Sequence, residues 1–116
     1  MPAAAPPLAD LPRCLAAGLG PVVCVGLSAW DQTWQLSSLP QGGGKQRALG
    51  FHDGGGGMAA NAAVAVARLG GRAAFWGRAG QDPAGRAMVA ELAALGVDVS
   101  AFRLFEGARS SVSGIL

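Results

Sequence analysis

Residues 54–61, Gly-Gly-Gly-Gly-Met-Ala-Ala-Asn, are the stretch best equipped for chemistry. Glycines entering a helix let the backbone approach a ligand closely, and the first helical N–H groups are donors without intrahelical partners. Asn61, the only asparagine, falls one turn into an otherwise apolar helix. A buried amide there needs partners, because leaving it unpaired costs about 1–3 kcal/mol. Its oxygen and NH2 could each meet a hydroxyl of a polyol; a neighbouring loop backbone would serve as well. Lys45 is the only lysine against eight arginines, and His52 is the only histidine. With 19 glycines and 24 alanines the composition is that of a GC-rich coding sequence, so rare residues carry more information than common ones.

Two phosphate-binding readings fail on spacing. Gly42-Gly-Gly44-Lys45 is followed by Gln46 rather than Ser or Thr, and the first glycine of a P-loop is not at the required distance. Gly54-x-Gly56-x-x-Ala59 fits a relaxed dinucleotide fingerprint. That fingerprint should follow the first strand directly, and here a flap intervenes. The acid expected about twenty residues later is also missing, with Arg78 in that region. A dinucleotide-binding domain is the weakest of the functions considered.

The elements that must position these residues follow from periodicity. Pro21-Val-Val-Cys-Val-Gly26 is a short β-branched run between breakers and predicts a buried strand. Ala29 to Leu36 loosens into an edge strand, Leu39 to Gly44 is a turn, and Ala48 to His52 returns, so residues 29–52 predict a hairpin-like flap. His52 and Asp53 read as loop residues, and Trp30 and Trp34 as cover for the flap's inner face. Met58 to Leu69 is apolar almost all round, which predicts a buried helix capped by Gly70, with Arg68 suiting its dipole. Ala73 to Gly77 predicts a second buried strand. Asp82-Pro83 starts a helix with Ala84, Met88, Leu92 and Leu95 on one face, ending at Gly96. Ala101 to Phe105 and Ser111 to Leu116 complete the strands. Strand, helix, strand, helix, strand is the order of an α/β fold with a mainly parallel sheet.

Length and charge narrow the functions. The 116 residues suit one domain, and 51% hydrophobic against 14% charged is a globular composition. The net charge of +2 comes from scattered arginines, which excludes a basic nucleic-acid stripe. Cys14 and Cys24 lack metal-ligand spacing, and Cys24 reads as a buried free thiol. Residues 1–20 form a Pro/Ala-rich extension, expected to be flexible, without the basic start and continuous apolar core of a signal peptide. No apolar run reaches the roughly twenty residues that cross a bilayer. A cytoplasmic location without membrane partners is expected. The chain stops on the apolar strand Ser113-Gly-Ile-Leu116, which reads as a truncation, since an exposed sheet edge is a liability.

Several motifs in one order make the chain resemble the N-terminal part of the ribokinase/PfkB carbohydrate kinase family. They are Val25-Gly-Leu-Ser-Ala-Trp-Asp31, the flap ending in Gly44-Lys45, Gly55-Gly-Gly-Met-Ala-Ala-Asn61, the Ala/Val helix to Leu69-Gly70, Trp76-Gly-Arg-Ala-Gly80-Gln-Asp82-Pro-Ala-Gly85, and Gly96-Val-Asp98-Val. The Gly-Lys flap, the Gly-Gly-Gly-x-Ala-Ala run and Ala108-Arg-Ser-Ser-Val-Ser113 look most like its sulfofructose-kinase-like branch, which phosphorylates a ketose bearing a sulfonate. Met58 and Asn61 depart from that branch, where proline and threonine are frequent.

The resemblance implies a ribokinase-like three-layer α/β fold with a small β flap as lid. It implies that Asp31 accepts hydrogen bonds from sugar hydroxyls, that Gly56 and Gly57 let the backbone touch the sugar, and that Asn61 holds a further hydroxyl. Lys45 on the flap would reach an anionic end of the substrate as a point charge. It further implies ATP and Mg²⁺, and a base in a Gly-Ala-Gly-Asp motif that takes the proton of the attacking hydroxyl. That motif is absent, so the base is expected beyond Leu116, as are the nucleotide and metal sites. The chain then supplies the sugar side of a kinase and is expected to be inactive alone. The alternative is a non-catalytic sugar-binding or dimerising piece, because flap strands in this family commonly pair between subunits.

Overall fold

The computed structural model describes residues 20–116. Cys14 and the extension read at residues 1–20, Gly20 apart, lie outside them. The order is β1 (Val22–Val25), β2 (Ala29–Gln35), β3 (Gly50–Gly56), α1 (Met58–Arg68), β4 (Ala73–Gly80), α2 (Pro83–Ala94), β5 (Phe102–Phe105) and β6 (Val112–Ile115). Two three-stranded sheets result, ordered β1-β4-β5 and β3-β2-β6.

The first sheet is wholly parallel, with Val22 opposite Ala73 and Gly77 opposite Phe102. Both helices arise as crossovers between its strands, as a parallel pairing requires. Their apolar stripes meet one face of the sheet, where Phe75 and Ala63 are fully buried and Met88 nearly so. Phe75 meets Phe102 edge-on at 4.8 Å between ring centroids. Complete burial of side chains such as Phe75 and Met88 contributes about 1.5–3 kcal/mol each.

The second sheet is the lid. Strands β2 and β3 pair antiparallel from Ala29–Gly56 to Gln35–Gly50, and β6 adds to β2 in parallel from Trp30–Val112 to Thr33–Ile115. The hairpin therefore extends past the expected 29–52: β3 runs on through Asp53 and three glycines to Gly56. Pairing with β2 overrides the low strand propensity of that stretch. His52 and Asp53 are accordingly strand residues. The Asp53 carboxylate accepts from the Trp30 indole N–H at 3.1 Å, and Trp34 packs on Phe51 with centroids 5.3 Å apart.

Burial departs from expectation in two places. In α1 only Ala60 and Ala63 are buried, so the helix presents one narrow stripe to the sheet. The stretch from Val22 to Val25 is not a buried strand: Val22, Val23 and Val25 are exposed and Cys24 is half-buried. Strand β1 stands at the edge of its sheet, and both helices cover the same face. Alternation then turns Val23, Val25, Trp76 and Phe105 to the uncovered face. Trp76 is half exposed for that reason, although β4 is otherwise the core strand. Both helices end as expected, with Gly70 and Gly96 at φ 84° just beyond them.

Candidate functional site

The lid and the core meet where β3 becomes α1, at Gly55 to Met58. Gly57 is the N-cap of α1, at φ 95° and ψ 138°, and no side chain caps the helix. A Cβ at Gly57 would come within 2.6 Å of the Leu27 carbonyl oxygen, so both the backbone angle and the space demand glycine. One residue earlier, a Cβ on Gly56 would run into the Asp31 carboxylate. The pairing explains why: Ala29 faces Gly56 and Asp31 faces Gly54, so Asp31, Gly54 and Gly56 share one side of the hairpin. Asp31 is half-buried, and among the described residues no backbone or side-chain donor meets its carboxylate.

Asn61 is exposed, not buried among apolar neighbours as its position in the helix suggested. The narrow buried stripe of α1, at Ala60 and Ala63, leaves it off the core. It lines a cavity of about 180 Å³ together with Ser28, Gly55, Arg68 and Glu91. Asp31 does not line this cavity, so the two residues approach the junction from different sides. Lys45 is exposed in the loop between β2 and β3. Four residue steps along β2, about 13 Å, separate Asp31 from Gln35, after which that loop begins. A larger hollow of about 610 Å³ runs along the lid between Trp34, Leu39, Phe51 and Leu116. It contains none of the five candidate residues; Thr33, Gln35, Ser38 and His52 line it beside its apolar walls.

Glu91 was not singled out by sequence. Both its carboxylate oxygens accept the Gly55 N–H, at 3.1 and 2.9 Å. A signal was present: Glu91 falls between Met88, Leu92 and Leu95 on the apolar stripe of α2, where an acid needs a partner.

A second carboxylate cluster is structural. Asp82 caps α2 by accepting from the Gly85 N–H at 2.8 Å. It also accepts from the Ser110 hydroxyl at 2.6 Å and the Ser110 N–H at 2.8 Å. The Ser110 bonds, side chain first, together with the Gly85 bond hold its pKa down at about 2. The Ser100 backbone and side chain likewise lower the Asp98 carboxyl.

Among the described residues no three His, Cys, Asp or Glu side chains gather to hold a metal ion. Among the same residues no helix is long and apolar enough to cross a membrane.

Residues 21–116 match the pfkB family carbohydrate kinases. A fructokinase of Klebsiella pneumoniae is 54% identical over 56 residues, which are 48% of this chain and 18% of the relative. An ATP-dependent ribose-1-phosphate kinase of Halopiger xanaduensis is 33% identical over 95 residues, 82% of this chain and 32% of the relative. The matched stretches thus span only 18% and 32% of the length of these relatives. The Arabidopsis thaliana ribokinase complexed with ribose and ATP superposes with a TM-score of 0.71 at 27% identity, over 81% of this chain and 31% of that one. On the family match over residues 21–116 and this superposition, the chain belongs to the PfkB carbohydrate kinase family and has its ribokinase-like α/β fold.

Proposed function

We propose that this chain supplies the sugar-binding side of an ATP-dependent kinase that phosphorylates a sugar hydroxyl. One observation carries the reading: the Asp31 carboxylate stands half-buried against Gly56 without a donor among the described residues. A carboxylate so placed can accept two hydroxyl donors in fixed geometry. Gly56 and Gly57 bring backbone to the same spot, and the exposed Asn61 amide offers a donor and an acceptor from the first turn of α1. Relatives named as fructokinase and ribose-1-phosphate kinase support a ketose or pentose as the substrate class.

The narrower reading, a ketose with an anionic end such as a sulfonate, rests on Lys45 alone. As the only lysine, on an exposed loop of the lid, it is a point charge able to meet an anion. The chain contains no Gly-Ala-Gly-Asp sequence, so the reading gives it substrate binding and leaves phosphoryl transfer, with ATP and Mg²⁺, to residues it does not include. A homodimer through the lid belongs to the same family expectation.

Calorimetric titration of the purified chain with fructose and ribose tests the proposal, alongside an ATP-turnover assay. Saturable binding of a sugar, weakened by Asp31→Ala and without ATP turnover, is the expected result. A folded chain that binds neither sugar would sink the reading. Sustained turnover would overturn the assignment of chemistry elsewhere.

A further inference from the structure

The geometry points to Glu91 as a positioning residue that fixes the lid–core junction from helix α2, an inference resting on the sugar-binding reading of that junction. Strand β3 is an edge strand of the lid sheet, because the order is β3-β2-β6. Edge strands present alternate N–H groups with no partner in the sheet. The Gly55 N–H is one of these, and it points off the hairpin into the Glu91 carboxylate. A charged acceptor makes this bond stronger than a neutral one. Glycine at position 55 permits the approach, since a Cβ there would already lie 3.0 Å from a Glu91 oxygen.

The position of that bond in the chain gives it consequence. Gly55 immediately precedes Gly56, against which Asp31 rests, and Gly57, which sets the start of α1. Asn61 follows in the first turn and lines the same cavity as Glu91. Holding Gly55 to α2 therefore fixes the offset between the Asp31 side of the junction and the Asn61 side. Ligand groups on both sides must be met at once, so freedom at Gly55 weakens binding even when every contacting side chain remains. Glu91 need not touch the sugar to do this.

The test reads two quantities on the 116-residue chain: hydrogen exchange of the Gly55 amide, followed by NMR without ligand, and the Kd for fructose and for ribose. Glu91→Ala is expected to speed exchange at Gly55 at least about tenfold and to weaken sugar binding about 5–10-fold. Glu91→Gln keeps an acceptor and should restore both to within about threefold of wild type. Unchanged exchange and unchanged Kd in Glu91→Ala overturn the assignment while leaving the sugar site standing. Should Glu91→Ala lose its dispersed spectrum, Glu91→Gln decides: near-native values support positioning. Lost affinity with a still protected amide would mean that the charge acts on the ligand, which overturns it. A wild-type chain that protects Gly55 yet binds neither sugar refutes the sugar-binding reading and the positioning role together.

Discussion

Asp31 and Asp82 are both half-buried, and each carboxylate stands where a neighbouring glycine leaves room for it, Gly56 in one case and Gly80 in the other. Their surroundings differ. Asp82 takes donors from Gly85 and twice from Ser110, so the N-terminus of α2 and the chain leading into β6 are tied through one side chain. Asp31 takes no donor from the described residues. A satisfied carboxylate is part of the framework; a half-buried one without a donor, beside a glycine-lined backbone, retains its acceptor capacity for something that arrives. The same residue type is thus framework at Asp82 and, on the proposed reading, recognition at Asp31, although both stand beside the segment that leads into and forms β6.

The sharpest way to break this contrast is to remove Asp31. Asp31→Ala is expected to weaken sugar binding about 10–100-fold, the range for hydrogen bonds to a charged group, with little change in Tm. Titration calorimetry beside a thermal melt checks both halves. A large loss of Tm with unchanged affinity would reverse the roles of the two aspartates.

Asp82→Ala should do the opposite. Losing the cap and both Ser110 bonds is expected to lower Tm by about 4–8 °C in a domain of this size. Sugar affinity of the folded fraction should stay near wild type. Ser110→Ala should lower Tm by less, because the Gly85 and Ser110 N–H donors remain.

Acid sharpens the comparison further. The Asp82 pKa falls from 3.8 to about 2 on folding, so the folded state favours the ionised form. Its contribution is complete above the unfolded pKa and is lost as pH drops from about 4 towards about 2. Tm measured through that window should decline, and Asp82→Asn should flatten the decline. An unchanged slope in the variant would place the acid sensitivity elsewhere.

The smallest expected effect belongs to Lys45. Lys45→Ala should leave neutral sugars untouched and weaken a sulfonated or phosphorylated ketose by about threefold to fivefold, as befits an exposed charge pair. Raising the salt concentration should erase the difference. Equal losses on neutral and anionic sugars would remove the anionic-end reading.

Much of the fold was legible because local signals agreed with it. Asp82-Pro83 marks the start of α2, and Gly70 and Gly96 follow the ends of the helices. The two strand–helix alternations predicted the parallel sheet. The glycine junction and Asn61 were visible as a candidate site because rare residues and a glycine run stand out in an alanine-rich chain. Less legible was burial. A short β-branched run looks the same whether the sheet is covered on one face or two, so the exposure of Val22, Val23 and Val25 could not be read from it. The all-round apolarity of α1 misled in the same way, because alanine is apolar yet costs little when exposed.

From sequence alone, the order of elements, the helix caps and the identity of the residues at the junction were determined, since these depend on neighbours within a few positions. The tertiary structure alone decided three things. Strand β6 joins the lid rather than the core sheet. Strand β3 continues through the glycines to Gly56, and the Glu91 carboxylate reaches across 36 residues to the Gly55 N–H. Each is a pairing between segments far apart in sequence, set by which backbone donors and acceptors remain unsatisfied once the core has packed, and no local pattern encodes that remainder.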